Sequence, residues 1–339
     1  MPMMRLAVVG CGAIAESFHL PALRAMGAEE VSVVLVDPDL ARARELGRKF
    51  GLAEVASSHR EVAEELDGAV LCTPHHLHVP IARDLVQAGV GVLSEKPLAT
   101  NVADVEALRD LSESTGVPVA VNQTRRFIPA CREIRRLLHS GELGRIEAVE
   151  MAEGDRFGWP AATPSMFGAA AGGKGVLLDI GVHALDLATW WFGSELALDG
   201  YRDDSFGGSE AAVRSRFRFG EATLSLRLSW LAKQPNRYTI RGEGGMITWN
   251  VYDLDRIGIS RKPGDRMRVQ PIPGAPGSFA DRAPLVLGDF LNSLRTGSRP
   301  AVSAGDVLPA MRLIEACYAR RERVAMPWHD FTLDPSHVT

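Results

Sequence analysis

Short apolar runs alternate with helical stretches over the first 121 residues, and this alternation restricts the fold more than any other feature of the chain. The runs are almost continuously apolar, which is typical of parallel strands that are covered on both faces. The pattern therefore predicts a doubly wound α/β sheet. The runs lie at residues 6–9, 31–36, 69–72, 90–93 and 117–121, and the helices at 13–26, 39–50, a stretch ending at 88, and 102–115.

A different pattern begins after residue 122. Longer segments alternate polar and apolar residues and turn through glycine, which predicts an antiparallel sheet. The segments lie at residues 146–151, 211–219, 222–230, 238–241 and 246–249.

Helices are expected at 129–139 and, near the end, at 285–294 and 307–318, with a Pro- and Gly-rich loop at 262–277. Ser303 and Asp306 resemble a capping box for the last helix. A chain of 339 residues is long enough for two domains. We place them at 1–122 and 123–339, and the last helices could pack back on the first domain.

The turn after the first apolar run reads Gly10-Cys11-Gly12-Ala13-Ile14-Ala15. Between a strand and a helix this spacing suits a dinucleotide, because the glycines permit a tight turn and let a pyrophosphate approach the helix N-terminus. Asp37 ends the second run, where a carboxylate would bind the ribose hydroxyls. The alternative is a structural glycine turn, with Asp37 capping the next helix. The expected cofactor contacts are Gly10, Gly12, Ala13, Ile14 and Asp37.

Asp37 also bears on which dinucleotide binds. Its carboxylate repels a phosphate on the ribose 2′-oxygen, and Asp39 adds to that repulsion. Arg42 could bind such a phosphate, but it lies a full turn into the next helix. We therefore expect NAD, with NADP as the less favoured cofactor.

Two further segments follow strands and so face the same cleft, because ligands bind beyond the carboxyl ends of parallel strands. The residues concerned are Thr73, Pro74, His75 and His78 after the run at 69–72, and Glu95 and Lys96 after the run at 90–93. The histidines favour a cofactor lining over a metal site. Lysines are scarce in this arginine-rich chain, and an ammonium beside a nicotinamide could stabilise an alkoxide. The alternative for Lys96 is a solvated surface lysine.

Asp179 and His183 are four residues apart and would share one face of a helix. A carboxylate near an imidazole orients the ring and favours its charged form, which suits a general base for an alcohol proton. The alternative is a helix cap and a buried core histidine. No third ligand accompanies them, so we predict no metal site.

Composition excludes several classes of function. The net charge is -4, from 38 basic and 42 acidic residues, so no basic excess predicts binding to nucleic acid or a membrane. The four cysteines are far apart, which argues against disulfides and zinc. Neither a signal peptide nor an apolar run of membrane-spanning length is evident, and we expect a cytoplasmic protein.

Together these motifs resemble the Gfo/Idh/MocA family of oxidoreductases over nearly the whole chain. The resemblance rests on Gly10-x-Gly12-x-x-Ala15, Asp37, Thr73-Pro74-x-x-Leu77-His78, Glu95-Lys96-Pro97, Gly175-x-x-x-Asp179-x-Gly181-x-His183-x-Leu185-Asp186 and Gly242-x-x-Gly245. It implies an N-terminal Rossmann domain and a C-terminal α/β domain with a large, open, mostly antiparallel sheet. It also strengthens Lys96, Asp179 and His183 as catalytic residues.

The family commonly forms dimers or tetramers through the exposed face of that second sheet. A half-apolar exposed face would need covering, so we expect a homodimer or homotetramer. The chain departs from the family at His75, where asparagine is frequent. Family members contact substrate near residues 153–160. Our candidate substrate residues are Arg156 and Trp159 there, and Arg126 and Phe127 in the linker region.

The resemblance implies hydride transfer between a nicotinamide cofactor and a secondary hydroxyl or keto group of a cyclic polyol, sugar or sugar derivative. In this hypothesis His183 takes the proton, Asp179 orients and charges His183, and Lys96 holds the substrate oxygen. One alternative is a ketoreductase of a nucleotide-linked keto-sugar. Less favoured alternatives are an NAD-dependent glycosidase and a non-catalytic NAD-binding regulator.

Overall fold

A computed structural model describes residues 3–27, 29–158, 174–205, 209–275, 277–278 and 280–321. The first sheet consists of β1 (Met4–Val9), β2 (Val31–Val36), β3 (Val55–Ala56), β4 (Gly68–Leu71), β5 (Gly91–Ser94) and β6 (Val119–Val121). All of its strands are parallel, in the order β3-β2-β1-β4-β5-β6. The order reverses between β1 and β4, and this switch point is where such sheets bind ligands. The predicted doubly wound sheet is confirmed; the two-residue strand β3 was not predicted.

Helices connect these strands on both faces. They are α1 (Leu20–Met26), α2 (Leu40–Phe50), α3 (His75–Gln87) and α4 (Val102–Thr115). The helix expected from residue 13 begins with a wide π-helical turn, Ala15–His19, before α1. Local chemistry sets the boundaries: Asp39 and Asn101 cap α2 and α4, and both helices end at a glycine in the left-handed region.

The second sheet has eight strands: β7 (Ile146–Gly154), β8 (Ala197–Asp203), β9 (Ala212–Phe219), β10 (Ala222–Ser229), β11 (Arg237–Gly242), β12 (Gly245–Asn250), β13 (Arg256–Ser260) and β14 (Arg268–Pro271). Their order is β14-β13-β12-β11-β7-β10-β9-β8, and among these described strands only β7 and β10 pair in parallel. The predicted mostly antiparallel sheet is confirmed. The loop expected at 262–277 is wrong in part, since β14 forms there. β14 lies at the edge of the sheet. Proline is tolerated on an edge strand, because an outward-facing position needs no N–H for the hydrogen bonds between strands.

The outward face of the second sheet differs from the expected half-apolar surface. In β9 the exposed residues are Arg214, Arg216 and Arg218, while the intervening residues are buried. In β10 the exposed residues are Thr223, Ser225 and Arg227. These strands therefore present a polar, cationic surface, so the argument that exposed apolar residues require an oligomer does not hold for them.

The remaining helices are α5 (Pro129–His139), α6 (Val182–Phe192), α7 (Ala283–Thr296) and α8 (Ala304–Ala319). The predicted capping box of α8 is confirmed, since the Ser303 side chain and the Asp306 side chain each accept from the other's backbone N–H. α5 packs on β13, and α8 packs on β8, α6 and α4.

The end of the chain also completes the first sheet. Val121 on the edge strand β6 donates its N–H to the Val302 carbonyl at 2.9 Å. Leu294 on α7 occupies the space above two strand glycines, because a Cβ at Gly68 or Gly91 would lie 2.7 or 2.2 Å from its methyl carbons. The last helices therefore pack back on the first sheet.

The four cysteines are buried and unpaired. Among the helices that the structure describes, none combines the length and apolar character needed to cross a membrane.

Candidate active site

The glycine turn follows β1 and leads into the helix that ends with α1. It therefore lies at the switch point of the first sheet. Gly10 has a φ of +96°, and a Cβ there would lie 2.8 Å from the Cys72 backbone, so both conformation and packing require glycine. A Cβ at Gly12, in contrast, would meet no protein atom within 4 Å. Ala15 is fully buried against the sheet. The turn thus leaves open space above Gly12, as a bound pyrophosphate requires.

Asp37 lies against this turn. Its Oδ2 accepts from the Cys11 N–H at 2.8 Å, and its Oδ1 accepts from the Asp39 N–H at 2.9 Å. The cap of α2 is Asp39, whose Oδ1 accepts from the Ala41 and Arg42 N–H groups. Asp37 is therefore not the helix cap, which was the alternative interpretation, and its carboxylate keeps lone pairs for ribose hydroxyls.

Buried polar atoms without partners occur at the same edge of the sheet. Among the described residues these include Thr73 Oγ1, directly after β4, and Asn122 Oδ1 and Gln123 Nε2, directly after β6. Such orphaned atoms are costly in a finished core. Together with the open turn, they fit a dinucleotide that would extend along the carboxyl ends of β1, β4 and β5.

Glu95 is buried and fully engaged by its neighbours. His19 Nε2 lies 2.7 Å from its Oε1, and Asn122 Nδ2 donates to the same oxygen at 2.6 Å. Burial opposes the charge of Glu95, but these hydrogen bonds and the charge of Lys96 lower its pKa below the ordinary value. Glu95 is thus an ionised, hydrogen-bonded carboxylate next to Lys96 in the chain. The sequence did not predict His19 and Asn122 as its partners.

The histidines after β4 have different surroundings. His78 is fully buried, with ring nitrogens 2.8 Å from the Thr73 and Pro97 carbonyl oxygens. His76 is exposed, whereas burial lowers the pKa of His75 to about 3. His75 is close enough to Lys96 and Asp179 to feel their charges. Within the described residues no three His, Cys, Asp or Glu side chains are grouped for a metal.

Lys96 and Asp179 form the centre of the site. Lys96 Nζ donates to Asp179 Oδ1 at 2.7 Å and to the Asp179 carbonyl at 3.0 Å. An ammonium has three donors, so one N–H remains for a substrate oxygen. Burial opposes the charge of Asp179, yet Lys96 lowers its pKa below the ordinary value. The structure thus excludes a solvated surface lysine, the alternative for Lys96.

His183 bonds to Gln123 rather than to Asp179. Its Nδ1 lies 3.0 Å from Gln123 Oε1, so the neutral ring donates from Nδ1 and leaves the Nε2 lone pair open. Asp179 lies in a π-helical turn, Leu177–Gly181, whose wide winding departs from the ordinary i, i+4 geometry. The expectation that Asp179 orients His183 is therefore wrong. Gln123 was missed, although its place directly after β6 was a usable signal.

Electrostatics keep His183 neutral. Burial, together with the positive charges of Lys96, Arg125 and Arg282, lowers its pKa well below 6.5. His183 and Lys96 are therefore electrostatic neighbours, with one group neutral and the other charged. A spare N–H and an open imidazole lone pair can together take a proton from a hydroxyl and stabilise the oxygen that remains.

The structure describes three of the four predicted substrate residues. Arg126 and Phe127 are each 6% exposed. Arg126 hydrogen-bonds to Asp186, and the Arg132 guanidinium lies over the Phe127 ring. Arg156 is exposed beyond the end of β7. Trp159 lies outside the described residues.

A buried ion-pair network lies on the second-sheet side of the site. Arg125 donates through both terminal nitrogens to Glu153, at 2.7 and 2.6 Å, and Tyr238 also bonds to that carboxylate. Trp230 hydrogen-bonds to Asp179 from the end of β10. Sequence reasoning missed Arg125, Glu153 and Trp230, because their meeting depends on the pairing of strands distant in the chain.

Comparison with known families matches both halves of the chain. A model described as an oxidoreductase family with an NAD-binding Rossmann fold matches residues 4–123, and one for the GFO/IDH/MocA C-terminal domain matches residues 131–248. The chain belongs to the Gfo/Idh/MocA family. The resemblance drawn from its motifs is thereby confirmed.

Curated relatives of this chain align with it over different lengths. Myo-inositol dehydrogenase Hyg17 of Streptomyces leeuwenhoekii is 35% identical over 196 residues, which are 57% of this chain and 57% of that protein. D-apiose dehydrogenase of Paraburkholderia graminis is 28% identical over 327 residues, 92% of this chain and 86% of that protein. The match to the first relative thus spans little more than half its length.

Among solved structures, a levoglucosan dehydrogenase in complex with NADH and levoglucosan has a TM-score of 0.83 with this chain. The match covers 94% of this chain and 96% of that one at 21% identity. At this identity the likeness shows the fold alone, and it agrees with the two sheets described above.

Proposed function

We propose that this protein is an NAD-dependent dehydrogenase acting on a secondary hydroxyl group of a cyclic polyol, sugar or sugar derivative. The observation that carries the proposal is the arrangement of two complementary groups. Lys96 keeps one free N–H after binding Asp179, and neutral His183 keeps an open Nε2 after binding Gln123. A hydroxyl between them would meet a hydrogen-bond donor and a proton acceptor at once.

In this proposal the residues divide the chemistry. Lys96 donates its third N–H to the substrate oxygen and stabilises negative charge there, while His183 Nε2 accepts the hydroxyl proton. Asp179 holds the Lys96 ammonium in position through two hydrogen bonds. A bound nicotinamide supplies the hydride acceptor, so the alcohol becomes a ketone; in the reverse direction His183 returns the proton.

The proposed cofactor residues are those at the carboxyl edge of the first sheet. Gly10, Gly12, Ala13 and Ile14 would hold the pyrophosphate, and Asp37 the ribose. The nicotinamide end would lie among Thr73, Pro74, His75, His78, Glu95 and Lys96. The carboxylate of Asp37 at the turn favours NAD over NADP. The relatives named for inositol and apiose support a cyclic polyol or sugar substrate.

Three further statements belong to the proposal. The dinucleotide domain comprises residues 1–122, and residues 123–339 form the substrate domain. Association into a dimer or tetramer through the second sheet follows the family resemblance, and sedimentation would test it. A cytoplasmic location is in keeping with the four unpaired cysteines.

The test is a substrate screen with the purified chain. NAD+ and NADP+ are offered with cyclitols, free sugars and nucleotide sugars, and formation of the reduced cofactor is followed by absorbance. We expect turnover with NAD+ and a cyclitol or sugar, and a kcat lowered about 10³-fold in Lys96→Met. Turnover only with a nucleotide-linked keto-sugar and reduced cofactor would instead support the ketoreductase. Absence of turnover in both directions would contradict the proposal.

A further inference from the structure

Glu16 lies beside the place where the proposed cofactor would carry its adenosine ribose. It belongs to the π-helical turn Ala15–His19 that follows the glycine turn. Its Oε2 lies 2.5 Å from Arg42 Nη2, and its Oε1 lies 2.6 Å from Lys49 Nζ. One carboxylate thus binds two cations, both of them on α2.

Arg42 is the cation that adjoins the ribose site. Its Nε donates to the Cys11 carbonyl at 3.0 Å, while the Cys11 N–H donates to Asp37. Arg42 and Asp37 therefore contact the same residue of the glycine turn. Rossmann proteins that bind NADP commonly place an arginine near this point to accommodate the 2′-phosphate. By position, Arg42 could do so, and Lys49 could add a second charge.

Neither cation is available for that purpose. Glu16 binds both, and Glu45 takes the remaining edge of Arg42 at 3.0 Å. Asp37 and Asp39 add two more carboxylates, so in this hydrogen-bonded group of described residues four acidic side chains accompany Arg42 and Lys49. Hydrogen bonds from Lys49 and Arg42 lower the pKa of Glu16, which therefore stays ionised. A dianionic phosphate would have to displace Glu16 and face the net negative charge.

We propose that Glu16 is a second determinant of NAD preference, acting as an internal carboxylate that occupies the cations a 2′-phosphate would need. Asp37 selects NAD by binding the ribose hydroxyls, and Glu16 selects against NADP by engaging Arg42 and Lys49. This inference rests on the proposed function.

The experiment measures the Kd of NADH and NADPH by fluorescence titration for the wild type, Glu16→Gln, Asp37→Ser and the double variant. Glu16→Gln should tighten NADPH about fivefold and change NADH by less than about twofold, since a partly exposed ion pair contributes modestly. In the double variant the gain for NADPH should exceed that of Asp37→Ser alone. Glu30→Gln is the matched control, because it removes the same charge at the opposite end of β2, where Glu30 pairs with Arg295.

Glu45→Gln gives a second measurement that does not depend on Glu16. Within the described part of the chain Glu45 pairs with Arg42 alone, and its side chain is 61% exposed, so its removal should tighten NADPH less than Glu16→Gln does. An unchanged NADPH Kd in Glu16→Gln, in a wild type that binds NADH, would overturn this inference alone. A wild type that binds neither dinucleotide would overturn the proposed function as well.

Discussion

Two basic–acidic pairs involve the same helical segment, and they are built for different purposes. Asp179 pairs with Lys96, and Asp186, farther along the same segment, pairs with Arg126. Arg126 donates to both carboxylate oxygens of Asp186, at 2.8 and 2.7 Å, and also to the Asp306 carbonyl. Lys96 binds one carboxylate oxygen and one carbonyl and keeps a donor free.

The two pairs also differ in the exposure of their basic side chains and in the pKa of their carboxyl groups. The Lys96 side chain is 19% exposed and that of Arg126 is 7% exposed. Burial raises the pKa of Asp186 despite Arg126, whereas Lys96 outweighs burial and lowers the pKa of Asp179. A saturated, buried pair is suited to hold two elements together. A partly exposed pair that keeps one N–H donor free, such as Lys96 and Asp179, is suited to bind a ligand.

Replacing Lys96 should give the largest effect on catalysis. We expect Lys96→Met to lower kcat about 10³-fold, because it removes a charged donor aimed at the reacting oxygen. The Kd of NADH should change by less than about twofold, since the glycine turn and Asp37 are untouched. Steady-state rates and fluorescence titration measure the two quantities. A kcat within about tenfold of wild type would remove Lys96 from the chemistry.

Replacing Arg126 should instead affect stability. Arg126→Met leaves Asp186 buried without its partner and should cost about 3–5 kcal/mol in the free energy of unfolding, measured in urea. The kcat of the folded protein should stay within about threefold of wild type. A stable variant with a raised KM would show that Arg126 contacts substrate, as the linker region first suggested.

Replacing Gln123 tests whether His183 sets the acidic limb of the pH profile. Gln123→Glu places a negative charge beside His183 Nδ1 and should raise the pKa of His183, because an opposite charge favours the protonated ring. The acidic limb of the kcat/KM profile should then move to higher pH, whereas Gln123→Met should lower kcat without that displacement. An unmoved profile in Gln123→Glu would mean that His183 does not set the limb.

The last prediction concerns how the free energy of unfolding depends on pH. The pKa values of His183 and His75 are lowered in the folded protein, so the unfolded chain binds more protons below pH 6.5. The stability contribution is therefore complete above pH 6.5 and is lost as pH falls below 6.5, for His75 down to about pH 3, at up to about 1.4 kcal/mol per pH unit for each proton. Urea melts at several pH values should show this slope, and His75→Asn should reduce it.

The sequence predicted the fold well because the information was local. Apolar runs, glycine spacing and the cap at Ser303 each concern residues close together in the chain. Asp37 could be placed for the same reason, since it ends a strand beside the glycine turn. The short strand β3 and the edge strand β14 were missed, because two to four residues beside turns carry little periodic signal. The longer strands β8 and β13 were also not predicted.

The site was predicted in its residue types and not in its connections. Lys96, Asp179 and His183 were named, but which of them touch depends on a π-helical turn that no spacing reveals. Gln123, and not the expected Asp179, hydrogen-bonds to the His183 imidazole. The failure is instructive: i, i+4 reasoning assumes regular winding, and functional segments often depart from it.

The closure of the first sheet by Leu294 and Val302 has a consequence for the biogenesis of the protein. These residues are synthesised more than half a chain after β6. A nascent chain therefore emerges with the edge of β6 unpaired and the space above Gly68 and Gly91 unfilled, a state prone to association through strand edges. A chain cut at residue 122 would remain in that state. The first sheet is continuous in sequence, but it is completed only when the last helices have been synthesised.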